Sequence, residues 1–67
     1  MLRYNLYQIR YPRTPGSDPS VNGYADCIGD ARRLAIAYTA DRKDLRYHDV
    51  RIERLDGRLQ EYAGPYR

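Results

Sequence analysis

Residues 27–42 read Cys27-Ile28-Gly29-Asp30-Ala31-Arg32-Arg33-Leu34-Ala35-Ile36-Ala37-Tyr38-Thr39-Ala40-Asp41-Arg42, and this stretch decides the fold class. Ile28, Ala31, Leu34, Ala35 and Tyr38 recur at the spacing of one helix face, which predicts an amphipathic helix starting near Cys27 to Asp30 and running to about Arg42. Asp26 or Cys27 is the expected N-cap, aspartate being the better residue for it. Asp30 falls in the first turn and Arg42 and Lys43 at the far end, both favourable to the helix dipole. The opposite face carries Ile36, Ala37 and Ala40 beside Arg32 and Arg33, less polar than a fully solvated face.

Downstream lies a hairpin signal. Asp56-Gly57 separates two alternating segments, Tyr47 to Leu55 and Arg58 to Ala63, a strong local cue for two antiparallel strands. A two-residue loop would pair Leu55 with Arg58, Arg54 with Leu59 and Ile52 with Glu61. Val50, Ile52, Leu59 and Ala63 would then face the core. Arg51, Glu53, Leu55, Arg58, Gln60 and Tyr62 would face outward, and residues 64–67 would form a tail.

Upstream, residues 2–11 alternate at period two, with Leu2, Tyr4 and Leu6 on one face and Tyr7, Ile9 and Tyr11 on the other. This predicts a strand with apolar groups on both faces, as a central strand has. Residues 12–20 hold three prolines and a glycine, which predicts an irregular loop. Val21 to Cys27 reads as a second strand with a turn or bulge at Asn22-Gly23. The expected architecture is α+β: one small domain, residues 1–67, with an antiparallel β-β-α-β-β sheet packed on one helix. Its far sheet face would carry Tyr7, Ile9, Tyr11, Arg51, Arg58 and Tyr62.

Composition bounds the function. A chain of 67 residues has a thin core and a stability of a few kcal/mol. The one cysteine, Cys27, allows no internal disulfide, and one histidine with one cysteine does not make a usual structural zinc site. No metal and no cofactor are expected. No apolar run has the length of a membrane span and no signal peptide is evident, so the expected compartment is the cytoplasm of a bacterial host. The net charge is +3, and eight of eight aromatic residues are tyrosine. Arginine makes up all the basic residues but Lys43. Arginine and tyrosine are the residues that interfaces recruit most readily.

Catalytic constellations are thin. Ser17 or Ser20 with His48 and Asp49 does not make a triad, because neighbours on a strand point to opposite faces. Cys27 at a helix start has no histidine near it in sequence. Asp41 with Asp44, and Glu53 with Glu61, are interleaved with arginine and read as ion-paired surface. There is no phosphate loop, dinucleotide fingerprint, zinc spacing or calcium loop. A binding protein rather than an enzyme is expected.

The helix Asp30-Ala31-Arg32-Arg33-Leu34-Ala35 and the hairpin Val50-Arg51-Ile52-Glu53 with Gly57 and Leu59 resemble the ninth family of type I-F anti-CRISPR proteins over about half the chain. The resemblance does not extend to the loop at residues 12–20 or to the tyrosine-arginine tail. The resemblance implies a phage-encoded inhibitor that binds the Cas7-type backbone of a Cascade-type CRISPR surveillance nucleoprotein and blocks target-DNA access. Arg32, Arg33, Ile36, Arg51, Arg58 and Tyr62 are the candidate partner-binding residues. A second reading is a nucleic-acid-binding module, with Arg10, Arg13, Arg51 and Arg58 on phosphates and Tyr7, Tyr11 and Tyr62 stacking on bases. A third is a homodimeric structural or regulatory protein, joined through Ile36, Ala37 and Ala40 or through an unpaired sheet edge.

Overall fold

The computed structural model describes residues 6–64. They form a four-stranded antiparallel sheet with one helix packed against it. The elements are β1 (Tyr7–Pro12), β2 (Pro19–Ala25), α1 (Ile28–Thr39), a single 3-10 turn (Tyr47–Asp49), β3 (Arg51–Arg54) and β4 (Leu59–Tyr62). The strand order is β2-β1-β3-β4, which places β1 and β3 in the centre and β2 and β4 at the edges. The expected α+β architecture is what the chain adopts. Leu2 and Tyr4 of the predicted first strand, and residues 65–67 of the tail, lie outside the described residues.

The core lies between α1 and one sheet face. Ile9 sits opposite Ile52 in the β1–β3 register, and both are fully buried, with Val50 and Leu45 beside them. Burying one such side chain contributes about 1.5–3 kcal/mol. Ala31 and Ala35, also fully buried, bring the helix backbone close to the sheet because neither carries atoms beyond Cβ. The buried helix line runs Ala31, Ala35, Thr39, with Ile28 and Leu34 partly buried against it. Tyr38, expected in the core stripe, lies at the flank instead, 41% exposed and with its ring against Gly23. Leu45 follows the helix in a loop, where no periodicity marked it as core.

Tyr7, Ile9 and Tyr11 face the helix and not the far side. Tyr11 is buried, and burial pushes its phenol above the ordinary value. The residues between them, Gln8 and Arg10, take the far face.

Two of the three prolines of the predicted loop, Pro12 and Pro19, are ladder residues, and Pro15 lies in the turn between them. Pro12 pairs with Pro19 at the last rung of the β1–β2 hairpin. The connection is therefore shorter than expected, built on a turn in which Ser17 N–H and Oγ both donate to Thr14 O (3.1 and 2.8 Å) with Gly16 at φ 81°. The expected bulge in β2 is present: Ile9 pairs with Gly23 and Arg10 with Val21, leaving Asn22 as the extra residue. Its Nδ2 donates to Tyr11 O (3.1 Å) and Ser20 O (2.8 Å), supplying part of what the interrupted ladder lacks.

The helix ends at Thr39, short of Arg42. Thr39 Oγ1 donates back to Ala35 O (2.6 Å), and Arg42 N–H closes a tighter turn onto Thr39 O (3.0 Å). The Arg42 guanidinium then bonds Asp44 (2.9 and 2.8 Å) and Pro12 O (2.9 Å), tying the post-helix loop to the end of β1. At the other end Cys27 is the N-cap, with no side-chain cap bond.

The C-terminal hairpin differs from its predicted register. Tyr47–Asp49 is a 3-10 turn and the strand begins at Arg51. Asp49 draws the turn closed by accepting from Arg46 N–H (2.8 Å). The loop has three residues, closed by Gly57 N–H on Arg54 O and Arg54 N–H on Arg58 O (both 2.8 Å). A two-residue type I′ turn needs positive φ at both central residues. Gly57 supplies one, at φ 88°, and Asp56 does not take one. Leu59 consequently pairs with Glu53, and Gln60 bulges out before Glu61 meets Ile52 as expected. A one-residue shift moves a side chain to the other face, so Leu59 leaves the predicted core side and is 41% exposed.

Candidate interaction face on the outer sheet surface

The registers of the three strand pairs build two rows across the face turned away from α1. One row reads Tyr24, Gln8, Glu53, Leu59, from β2 to β4; the next reads Val21, Arg10, Arg51, Tyr62. Arg10 and Arg51 are register partners, and like charges directly opposite one another repel. Glu53, two residues from Arg51 on the same strand, supplies the counter-charge.

Glu53 is only 1% exposed although it lies on the outer face, because its neighbours close over it. Gln8 Nε2 donates to its Oε1 (3.1 Å), and Arg10 Nη1 donates to the same oxygen (3.3 Å). Arg51 Nε stands 2.9 Å from Oε2 as an ion pair, with its N–H turned away from the oxygen. Arg10 Nη2 donates to Pro19 O (3.0 Å), which fixes that guanidinium at both ends. One carboxylate thus organises two arginines whose side chains keep 35% and 37% exposure.

An aromatic group borders this face. His48 packs edge-on against Tyr62 (centroids 4.6 Å) and against Tyr47 (5.1 Å), and Tyr47 and Tyr62 are 6.1 Å apart. Gly64 lies flat on the Tyr47 backbone, where a Cβ would come within 2.3 Å of Tyr47 Cα.

The structure divides the candidate residues among several places. Arg51 and Tyr62 share the outer face, and Arg10 joins them. Arg58 is at the hairpin turn, 3.6 Å from Asp56. Arg32, Arg33 and Ile36 belong to the helix layer on the other side of the sheet. There Arg32 binds Glu61 of β4 with two bonds (2.9 and 2.8 Å), Arg33 pairs with Asp30 (2.7 Å), and Ile36 is 45% exposed. Arg13 donates to Asn22 Oδ1 (3.2 Å) beside the β1–β2 turn. Tyr7 and Tyr11 are packed on the core side and present no ring for stacking on the outer face.

Gln8, Val21, Tyr24, Glu53 and Leu59 were not among the candidates. One signal was available: Gln8 and Arg10 alternate on one strand as Arg51 and Glu53 do on another. The register that brings the two pairs together was not legible.

Among the described residues no group of three or more His, Cys, Asp or Glu side chains could hold a metal ion, and no helix is long and apolar enough to cross a membrane. An open groove of about 380 Å³ runs between the β2 edge and α1, lined by Tyr24, Ala25, Asp26, Asp30, Arg33 and Leu34. No protein-family model, curated protein or solved structure matches this chain.

Proposed function

We propose that this chain is a non-enzymatic binding protein whose docking surface is the outer sheet face and whose partner is a large protein or nucleoprotein. The observation that carries the reading is the Glu53 cluster. Its buried carboxylate sets two half-exposed arginines side by side on the outer face, and arginines positioned in advance lower the ordering cost of binding. Tyr24 and Leu59, 51% and 41% exposed, extend the same face with apolar surface of the kind protein interfaces bury.

The charge arrangement favours a protein-containing partner over bare nucleic acid. Arg10, Arg32, Arg33, Arg42, Arg51 and Arg58 each lie within ion-pair distance of a carboxylate. Each such acid offsets part of the positive field on which phosphate-backbone binding depends. In its specific form, drawn from the anti-CRISPR resemblance, the proposal is that the chain binds the Cas7-type backbone of a Cascade-type surveillance complex and blocks target-DNA access.

The test is capture from bacterial lysate with tagged wild-type chain, Leu59→Asp and Ile36→Asp, each with and without nuclease. One nucleoprotein that survives nuclease and is lost with Leu59→Asp but kept with Ile36→Asp is the expected result. A captured set that vanishes with nuclease would transfer the function to direct nucleic-acid binding. Loss with Ile36→Asp alone would move the docking surface to the helix.

A further inference from the structure

The Glu53 cluster leaves its two arginines in different states. Arg10 has both terminal nitrogens engaged, one on Glu53 and one on Pro19 O. Arg51 has only its Nε against Glu53, and among the described residues neither of its Nη atoms meets an acceptor. Its guanidinium therefore stands in an ion pair with a buried carboxylate at Nε, without a hydrogen bond to it, and its two terminal nitrogens are left to other acceptors. An arginine fork offers two parallel N–H donors matched to a carboxylate or phosphate, and an ion pair that places the guanidinium in advance removes part of the entropy lost on binding.

We propose that Arg51 is the anchor of the outer face and that it takes the carboxylate of an aspartate or glutamate on an acidic protein surface. This rests on the reading of that face as the docking surface. Two features select a protein carboxylate over a nucleic-acid phosphate. Arg10, Arg51 and Glu53 sum to a single positive charge, enough to pair with one carboxylate but short of the several cationic contacts on which phosphate-backbone binding rests. The flanking positions are Tyr62 in the same row and Leu59 and Tyr24 in the next, a mixture suited to side chains packed around a central ion pair. Tyr62, directly opposite Arg51 and braced by His48, bounds the site on the β4 side. The partner is thus an acidic patch with apolar neighbours, and Glu53 is a positioning residue that does not touch it.

The test uses the whole chain labelled with nitrogen-15. Three probes are titrated in separate experiments: a blocked hexaglutamate peptide, inorganic phosphate and an oligothymidylate of eight nucleotides. The expected result is that hexaglutamate perturbs the Arg51 side-chain N–H and the amides of Arg51 and Tyr62. Its affinity should fall about ten-fold in Arg51→Gln, the scale of one charge-assisted hydrogen bond, and change less than about two-fold in Arg33→Gln. Arg51→Lys keeps the charge without the fork and should recover only part of the loss; wild-type spectra elsewhere would show that each variant is folded. Equal or tighter binding of phosphate or oligothymidylate at Arg51 would overturn the choice of a protein carboxylate. Shifts spread evenly over Arg33, Arg54 and Arg58, or none at Arg51, would overturn the site itself. Lysate capture separates this inference from the reading beneath it. Capture that survives Arg51→Gln but fails with Leu59→Asp removes only the anchor, and capture indifferent to both removes the outer face altogether.

Discussion

Arg32 and Glu61, far apart in the chain, meet in a two-pronged ion pair, with Nε 2.9 Å from Oε2 and Nη2 2.8 Å from Oε1. The pair staples α1 to the edge strand β4 on the core side of the sheet. Hydrogen bonding to Arg32 holds the Glu61 carboxyl below its ordinary value. Hydrogen bonding to Arg42 does the same for Asp44 in the loop after the helix. A depressed carboxyl contributes stability above its unfolded-state value and loses it as pH falls through the folded-state value. The fold should therefore weaken as pH drops below about 4, the ordinary carboxylate range. The Arg32–Glu61 contribution is under about 1 kcal/mol, since both side chains remain partly exposed. Thermal melts of wild type and Glu61→Gln between pH 7 and 3 check this, with the variant showing the flatter dependence.

The centre of the fold is the Ile9–Ile52 pair. Ile52→Ala should cost about 2–5 kcal/mol and Ile9→Val about 0.5–1.5 kcal/mol. In a domain whose whole stability is a few kcal/mol, the alanine variant should be largely unfolded at 25 °C and the valine variant folded with an earlier urea midpoint. Urea denaturation followed by circular dichroism distinguishes them.

Three glycines separate steric from conformational cost. A Cβ at Gly64 would meet backbone, 2.3 Å from Tyr47 Cα, so Gly64→Ala should shift the chain end or destabilise it measurably. A Cβ at Gly23 would meet the Tyr38 ring at 2.7 Å; that ring is partly exposed and can swing away, so Gly23→Ala should cost less. At Gly57 space is free but φ is 88°, and alanine there should cost about 1–2 kcal/mol from the left-handed backbone alone. The expected order of urea midpoints places Gly23→Ala nearest wild type.

Removing the counter-charge at Glu53 should expose the repulsion between Arg10 and Arg51. Glu53→Gln should destabilise the fold by about 1–3 kcal/mol, and the loss should shrink with added salt, which screens the two half-exposed arginines from each other. A double-mutant cycle with Arg10→Gln measures the coupling. Additive single effects would show that Glu53 does not hold Arg10.

Much of the scaffold was legible because it rests on local periodicity and turn chemistry. The spacing of Ile28, Ala31, Leu34 and Ala35 specified a helix, the alternation around Ile9 a strand, and Gly57 a reversal of the chain. The bulge at Asn22 was legible for the same reason, since Asn-Gly interrupts an otherwise alternating segment. The prolines misled: Pro12 and Pro19 break helices and central strands, yet they are tolerated at the last rung of an edge hairpin, where a missing N–H leaves no interior ladder bond unmade.

The candidate site was legible as composition and not as geometry. Arg51, Tyr62 and Arg10 could be chosen for their chemistry, but Tyr7 and Tyr11 were assigned to the wrong side because a strand with large residues on both faces does not declare which face meets the helix. Glu53 read as an ordinary surface acid.

Chain order and local residue preference determined the β-β-α-β-β succession and the helix stripe, since each depends on residues a few positions apart, and the single cysteine ruled out an internal disulfide. Tertiary structure alone decided which face of β1 became core, which side of the sheet received Leu59, and that one buried carboxylate would sit between Arg10 and Arg51. The first and last of these depend on registers between strands more than forty residues apart, Gln8 with Glu53 and Arg10 with Arg51, whereas Leu59 was turned by the three-residue loop of its own hairpin. A one-residue change in such a register exchanges the two faces of a strand without altering any local propensity.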